Sequence, residues 1–145
     1  MKLKQIKILN RKKIPFYKIS QSGTLDNAAE SYEKLLVKLF QNYSFRTAVL
    51  GIGTDGHTAG LLPGYRKEWD REDMAAGYEN KGEFRQRISI TPYCIRKLDY
   101  VLAVVSGKEK KEALSKIVQK KETDLNKLPG LILHQIKEGD IVKDF

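Results

Sequence analysis

The sequence is poor in the features that mark disulfide-bonded, secreted or membrane-spanning proteins. A single cysteine, Cys94, excludes an internal disulfide and argues against a structural zinc site. No apolar run approaches the roughly 20 residues that a membrane-spanning helix requires. The N-terminal segment, residues 1–9, is basic and lacks the apolar stretch of a secretory signal. We therefore expect a cytoplasmic protein with no membrane partner.

Acidic residues are outnumbered. The chain has 27 lysine and arginine residues against 18 aspartate and glutamate residues, which gives a formal net charge of +9. Such a balance could attract nucleic acid, an anionic membrane or a small anionic substrate. The lysines are spread along the chain, and the sequence contains neither alternating basic and aromatic residues nor the spacing of a zinc finger or basic zipper. We expect a solvated lysine-rich surface and no nucleic-acid partner.

The order of apolar segments predicts one α/β domain over residues 1–145. Apolar side chains recur at helical spacing in 25–40 and 109–120, and we expect Ala113, Leu114, Ile117 and Val118 to face inward. We predict strands at 14–19, 47–52, 87–91, 100–106 and 131–133, with 47–52 buried on both faces of a parallel sheet. Residues 65–86 are polar and predict a long irregular loop. Strands that alternate with helices indicate βαβ units.

The segment 51–64, which reads G-I-G-T-D-G-H-T-A-G-L-L-P-G, is the candidate site. It follows a predicted buried strand, and ligands of open α/β sheets bind at the carboxyl ends of strands. His57, with an ordinary pKa of about 6.5, suits a general base, and Asp55 could orient its ring or hold a water. The glycine spacing also fits a dinucleotide-binding loop, but the acidic residue that this fingerprint requires is missing. From the residues alone, a catalytic His57 and a structural turn histidine are equally supported.

Three blocks of this sequence resemble 6-phosphogluconolactonases. The segment 51–63 is similar to their signature loop G-x-G-x-D-G-H-T-A-S-L-F-P and departs from it at Gly60 and Leu62. Residues 87–91 resemble the family's R-I-T-L-T strand, and 105–110 resemble its V-S/T-G-x-x-K turn. The ending, 128–129 and 140–145, is also similar. The resemblance implies a Rossmann-like three-layer α/β domain with a mainly parallel sheet, the NagB-like fold, in N-terminally truncated form.

The resemblance also implies a reaction, the hydrolysis of 6-phospho-D-glucono-1,5-lactone in the pentose phosphate pathway. His57 would be the general base that activates water, and Asp55 would help to place the water or the substrate. No metal or organic cofactor is implied. The residues that the resemblance assigns to substrate binding are Gly53, Gly56, Arg87 and Lys110, the last two as cationic donors to the phosphate.

Other interpretations stay open at this point. Arg87 is as well explained by an exposed strand charge, and His134 and Cys94 match no motif, so we expect a structural or exposed histidine and a packed thiol. The family's glycine- and serine-rich phosphate loop and its D-E-R motif are missing from the sequence. We therefore expect a homo-oligomer or a complementing N-terminal fragment. A glucosamine-6-phosphate isomerase/deaminase-like enzyme and a non-catalytic sugar-phosphate-binding remnant remain alternatives.

Overall fold

The computed structural model describes residues 14–19, 23–64, 66–81 and 85–145. Three α-helices are present in this part of the chain: α1 (Leu25–Asn42), α2 (Pro92–Arg96) and α3 (Lys111–Gln119). The five strands are β1 (Thr47–Gly51), β2 (Ala75–Glu79), β3 (Gln86–Ile90), β4 (Tyr100–Val105) and β5 (Gly139–Lys143). Short 3₁₀ helices span Lys67–Asp70, Lys108–Lys110 and Pro129–Gln135.

The central sheet has the strand order β1-β4-β5, and both pairings are parallel. Its register places Leu50 beside Ala103 and Ala103 beside Ile141. Because the three strands run in the same direction, their carboxyl ends lie at one edge of the sheet. This arrangement confirms the predicted α/β class with a parallel sheet.

The two faces of this sheet differ in burial. Leu50, Val101 and Val105 point to one face and are buried in two apolar clusters that also contain Ile117 and Ile132. Alternate residues on the other face are open to solvent, with Val49 71%, Val104 38% and Val142 52% exposed. We call the surface formed by these three valines the bare face. The expectation that 47–52 is buried on both faces is therefore wrong.

The region 65–86, predicted to be an irregular loop, contains a 3₁₀ helix and a strand, so this prediction was also wrong. Strand β2 pairs with β3 as an antiparallel hairpin, and α1 packs against it. A Cβ on Gly77 would lie 3.0 Å from the Cβ of Ala29, so glycine permits the close approach of helix and hairpin. The ring of Trp69 meets that of Tyr78 on β2 edge to face, and both side chains are buried.

The helix and strand predictions had mixed outcomes elsewhere. Helix α1 begins where it was predicted, with the Thr24 hydroxyl accepting from the Asn27 amide at 3.2 Å. Residues 14–19 are exposed and form no strand, so this prediction was wrong. Pro15 removes one amide donor from the segment. Residues 131–133 lie in a 3₁₀ helix that Pro129 opens, not in a strand. Val118 on α3 is 55% exposed and does not face inward.

The two residues for which we expected no role agree with their predictions: Cys94 is a packed thiol, and His134 is an exposed histidine. Cys94 is buried, and this burial raises the pKa of its thiol to about 12. The ring of His134 is hydrogen-bonded through Nε2 to the backbone carbonyl of Ile117 at 2.7 Å. Within the described ranges, no helix is both long and apolar enough to span a membrane.

Candidate active site

His57 and Asp55 form a contact pair in the loop that follows β1. The His57 ring nitrogen Nδ1 lies 2.6 Å from Asp55 Oδ1, and the His57 backbone amide donates to the same oxygen at 3.1 Å. The turn is closed by the Gly53 amide, which donates to the His57 carbonyl at 2.9 Å. A carboxylate accepts and cannot donate, so Nδ1 carries the proton in the neutral ring. Nε2 is then the nitrogen that can take up a proton.

The electrostatics of the pair reinforce this assignment. Partial burial acts to raise the pKa of Asp55, but the hydrogen bonds from the amide and ring of His57 outweigh it and hold that pKa below its ordinary value. Asp55 is therefore ionised at neutral pH. An ionised carboxylate only accepts hydrogen bonds, so Nδ1 is the donor in the contact. Both side chains reach solvent, at 38% exposure for His57 and 48% for Asp55.

The two glycines predicted to bind substrate have steric roles in this loop. A Cβ on Gly53 would lie 2.1 Å from Nδ1 of His57, so the ring can occupy its position only above a glycine. Gly56 has a φ of +80°, and a Cβ there would lie 2.2 Å from Leu128. Its carbonyl accepts from the Gly130 amide at 2.8 Å. The Pro129–Gln135 segment thus holds the loop through this hydrogen bond.

The far end of the loop is held by the hairpin. The buried Thr58 hydroxyl donates to the Gly51 carbonyl at 3.0 Å. Ser89 on β3 accepts from the Gly60 amide at 3.0 Å, and the Tyr78 hydroxyl on β2 donates to the Gly60 carbonyl. A Cβ on Gly60 would lie 2.8 Å from the Cβ of Ser89. The resembled pattern has serine where this chain has Gly60. Here Ser89 lies too close for a side chain at position 60.

Arg87 lies on the hairpin. It pairs in register with Tyr78 and, two residues before Ser89, shares a strand face with it. Burial raises the pKa of Tyr78, while the charges of Arg66 and Arg87 act to lower it. Arg87 is thus a neighbour of the groups that hold the loop, and its predicted phosphate contact stays a prediction.

Lys110 follows the carboxyl end of β4, the strand next to β1, so it lies at the same edge of the sheet as His57. Gly107 precedes it with a φ of +103°, and the Lys110 amide donates to the Gly107 carbonyl at 3.1 Å. Helix α3 begins at the next residue. The predicted phosphate-binding role of Lys110 stays a prediction.

A cleft of about 460 Å³ opens beside Asp55 between the loop and α3. Positive and negative side chains line the cleft in ion pairs: Lys116 lies 2.7 Å from Glu112, and Lys127 lies 3.7 Å from Glu122. The cleft offers access to the loop without a strong excess of positive charge. Among the described residues, no group of three or more histidine, cysteine, aspartate or glutamate side chains could hold a metal ion.

Four supporting residues escaped the sequence analysis: Tyr78, Ser89, Leu128 and Asp144, the last of which binds the turn before Lys110. None belongs to the signature segment 51–63. Ser89, Leu128 and Asp144 lie in segments that resemble the family, 87–91, 128–129 and 140–145, but the resemblance assigned no role to them.

Comparison with known proteins gives consistent results. A family model described as glucosamine-6-phosphate isomerases/6-phosphogluconolactonase matches residues 2–142. The 6-phosphogluconolactonase of Bos taurus is 32% identical over 119 residues, which covers 79% of this chain and 45% of the bovine protein. The crystal structure of 6-phosphogluconolactonase from Thermotoga maritima is similar with a TM-score of 0.70 at 23% identity, covering 91% of this chain and 59% of that chain.

A monomeric glucosamine-6-phosphate deaminase is also similar, with a TM-score of 0.68 at 20% identity over 86% of this chain and 54% of that chain. At such low identities the structural likeness establishes the fold and does not separate the two activities. The chain spans about half the length of the curated 6-phosphogluconolactonases that it matches.

Proposed function

This chain belongs to the glucosamine-6-phosphate isomerase/6-phosphogluconolactonase family, and on that premise we propose that it hydrolyses 6-phospho-D-glucono-1,5-lactone to 6-phosphogluconate. The observation that carries the proposal is the 2.6 Å contact between His57 Nδ1 and Asp55, which leaves Nε2 to act as the base. The cytoplasm is the compartment that we propose, since Cys94 is a free thiol and cytosolic proteins keep their cysteines reduced.

In the proposed reaction, His57 Nε2 takes a proton from water as the water oxygen attacks the lactone carbonyl carbon. The bond between that carbon and the ring oxygen then breaks, and the imidazolium returns its proton to the leaving ring oxygen. The product acid ionises to the carboxylate. Asp55 stabilises the imidazolium between the two transfers and keeps the ring in one orientation. Base catalysis of this kind contributes about 10²- to 10⁴-fold.

The phosphate of the substrate requires cationic partners. We assign Lys110, at the start of the segment that leads into α3, and Arg87 on β3 to this role. Lysine and arginine side chains are cationic hydrogen-bond donors, and charge-assisted bonds to phosphate are stronger than neutral ones. We assign Gly53 and Gly56 a supporting part in substrate binding, since they leave room for the His57 ring and for Leu128 and so fix the shape of the loop.

A deaminase-like activity is the second candidate, because a glucosamine-6-phosphate deaminase shares the fold. The sequence D-G-H-T-A at 55–59 favours the lactonase, since it keeps the resembled lactonase signature. A sugar-phosphate-binding module without turnover is the third. Release of ammonia from glucosamine 6-phosphate would support the second, and binding without hydrolysis would support the third.

We further propose that the bare face is covered by a complementing polypeptide segment. Parallel sheets are normally buried on both faces, and within the described ranges β1 pairs with β4 and presents its other edge unpaired. The curated relatives are about twice as long as their matched parts, and a segment equivalent to the part that this chain does not match is the occupant that we propose. Light scattering tests this proposal. A stable homodimer would show that a second copy of the chain, and not a separate segment, covers the bare face.

The decisive experiment is hydrolysis of freshly generated 6-phosphogluconolactone, corrected for its spontaneous rate. The wild-type chain should hydrolyse it, and His57→Ala should lower kcat by about 10²- to 10⁴-fold. His134→Ala is the matched control, because it removes the other histidine and leaves the loop intact. Turnover that persists in His57→Ala would exclude His57 as the base. Well-folded protein without turnover would exclude hydrolysis by this chain alone.

A further inference from the structure

The turn that follows β4 is fastened by one carboxylate, that of Asp144. The Ser106 hydroxyl donates to Asp144 Oδ2 at 2.6 Å, and the Gly107 amide donates to Oδ1 at 2.9 Å. Each carboxylate oxygen therefore holds a different atom of the turn. These two bonds join the chain across 38 and 37 residues, and they tie the turn to the last strand of the sheet.

Asp144 is itself well anchored. Strand β5 pairs with β4 up to the Val105 and Lys143 position, which is directly before Ser106 and Asp144. On the other side, Phe145 packs against the apolar cluster that contains Val105 and Ile117. The carboxylate is held from both directions, so it is a fixed point for the turn although it is exposed to solvent.

The turn determines where Lys110 lies. Gly107 adopts a φ of +103°, a conformation that side-chain-bearing residues rarely take. From there the 3₁₀ helix Lys108–Lys110 starts, and the Lys110 amide donates back to the Gly107 carbonyl. A shift of Gly107 would therefore be passed on to Lys110 and to the start of α3.

We propose that Asp144 is a positioning residue that holds the turn from Ser106 to Lys110, so that Lys110 meets the phosphate of a sugar-phosphate substrate. This inference rests on the proposed function. The carboxylate does not act by attraction, because a negative charge near Lys110 repels a phosphate. Positioning and charge thus have opposite effects on substrate affinity, and a substitution can tell them apart.

The test is Asp144→Asn, which keeps the size of the side chain, removes its charge and leaves one acceptor where there were two. Loss of one hydrogen bond to a charged group should raise KM for the lactone roughly tenfold with kcat nearly unchanged. Ser106→Ala, which removes one bond and keeps the carboxylate, should raise KM less. If Asp144 acted through charge, Asp144→Asn would lower KM, and this result would overturn the proposal.

Asp140→Asn is the matched control. Asp140 lies on the same strand, is exposed and accepts from the Tyr100 hydroxyl at 2.5 Å, but it is near the amino end of β5, away from the turn. Its substitution should leave KM unchanged. An equal rise of KM in Asp140→Asn and Asp144→Asn would point to a general change in surface charge and would contradict positioning.

Hydrogen exchange gives a readout that does not need turnover. The Gly107 and Lys110 amides should exchange faster in Asp144→Asn than in the wild type, and inorganic phosphate should bind more weakly to the variant. If the wild type lacks lactonase activity, the proposed function fails, while these two measurements still decide the role of Asp144. Unchanged exchange and unchanged phosphate affinity would refute it. Should Asp144→Asn not fold, Ser106→Ala carries the same comparison.

Discussion

The loop after β1 is fixed by specific contacts, whereas the bare face of the sheet is exposed to solvent. Within the loop, Gly53, Gly56 and Gly60 each contact a specific partner, and the His57 ring is fixed by Asp55. On the bare face, Val49 and its neighbours meet solvent. The pair proposed to be catalytic is thus already in contact within the described residues, whereas the three valines of the bare face are exposed.

We therefore expect changes in the loop to affect activity and changes on the bare face to affect mainly stability. The loop is held by the hairpin and by the Pro129–Gln135 segment, both of which belong to the covered side of the molecule. A segment that covers the bare face would add burial and protect the edge of β1, and it would not be needed to bring His57 and Asp55 together. Substitutions in the two regions should therefore have different consequences.

In the loop, filling the space beside the His57 ring should lower activity strongly even though His57 itself is kept. Gly53→Ala places a methyl group where Nδ1 of His57 now lies, at 2.1 Å, so the ring must move away from Asp55. A displacement of about 1 Å in a catalytic group can lower kcat roughly 10²-fold. Steady-state kinetics with the lactone measure the loss.

Gly51→Ala is the control for this substitution. A Cβ on Gly51 would have no atom within 4 Å among the described residues, and the residue lies in the same strand-to-loop connection. Its kcat should remain close to that of the wild type. Equal losses in both variants would mean that the loop tolerates no added methyl group, whether or not this group displaces the His57 ring.

The two faces of the sheet should respond differently to the same truncation. Val101→Ala removes buried methyl groups from a fully enclosed side chain and should lower the free energy of unfolding by about 2 kcal/mol. Val49→Ala, on the bare face, should change it by less than about 0.5 kcal/mol. Urea unfolding of both variants gives the numbers. A large loss in Val49→Ala would show that the bare face is already covered in solution.

Restoring the resembled serine at position 60 should weaken the contact between loop and hairpin. In Gly60→Ser the new Cβ would lie 2.8 Å from the Cβ of Ser89, so one of the two must shift, at about 1 to 2 kcal/mol of stability. Combining it with Ser89→Gly should recover part of the loss. A double-mutant cycle measures this coupling, and additive effects would mean that the two residues do not meet.

Some elements of this structure could be predicted from the sequence, and others could not. Helix α1 has clear apolar periodicity, strands β1 and β4 are compact apolar runs, and each was predicted close to its bounds. Strand β2, A-A-G-Y-E, has small residues where β-branched ones are typical, because Gly77 has to admit α1. Strand β5, G-D-I-V-K, is short and exposed, so it gave no pattern.

The residues of the candidate site likewise include some that the sequence predicted and some that it did not. Asp55 and His57 were found because they are two residues apart in a recognisable motif. Tyr78, Ser89 and Asp144 were not found, because they contact the site from 18, 29 and 37 residues away. Contacts of this kind are a product of the tertiary fold, and local spacing does not reveal them.

The smallest expected effect is the contribution of the Asp55 and His57 pair to stability at low pH. Because the folded-state pKa of Asp55 lies below its ordinary value of 3.8, its ionised form is favoured by folding. That stability is present above the unfolded pKa and is lost as pH falls through the lower, folded pKa. Since the side chain is about half exposed, solvent screening keeps the effect below about 1 kcal/mol. Unfolding free energies measured from pH 5 to pH 2.5 should therefore fall slightly more steeply for the wild type than for Asp55→Asn, and parallel curves would show that the hydrogen bonds from His57 orient the ring without stabilising the fold.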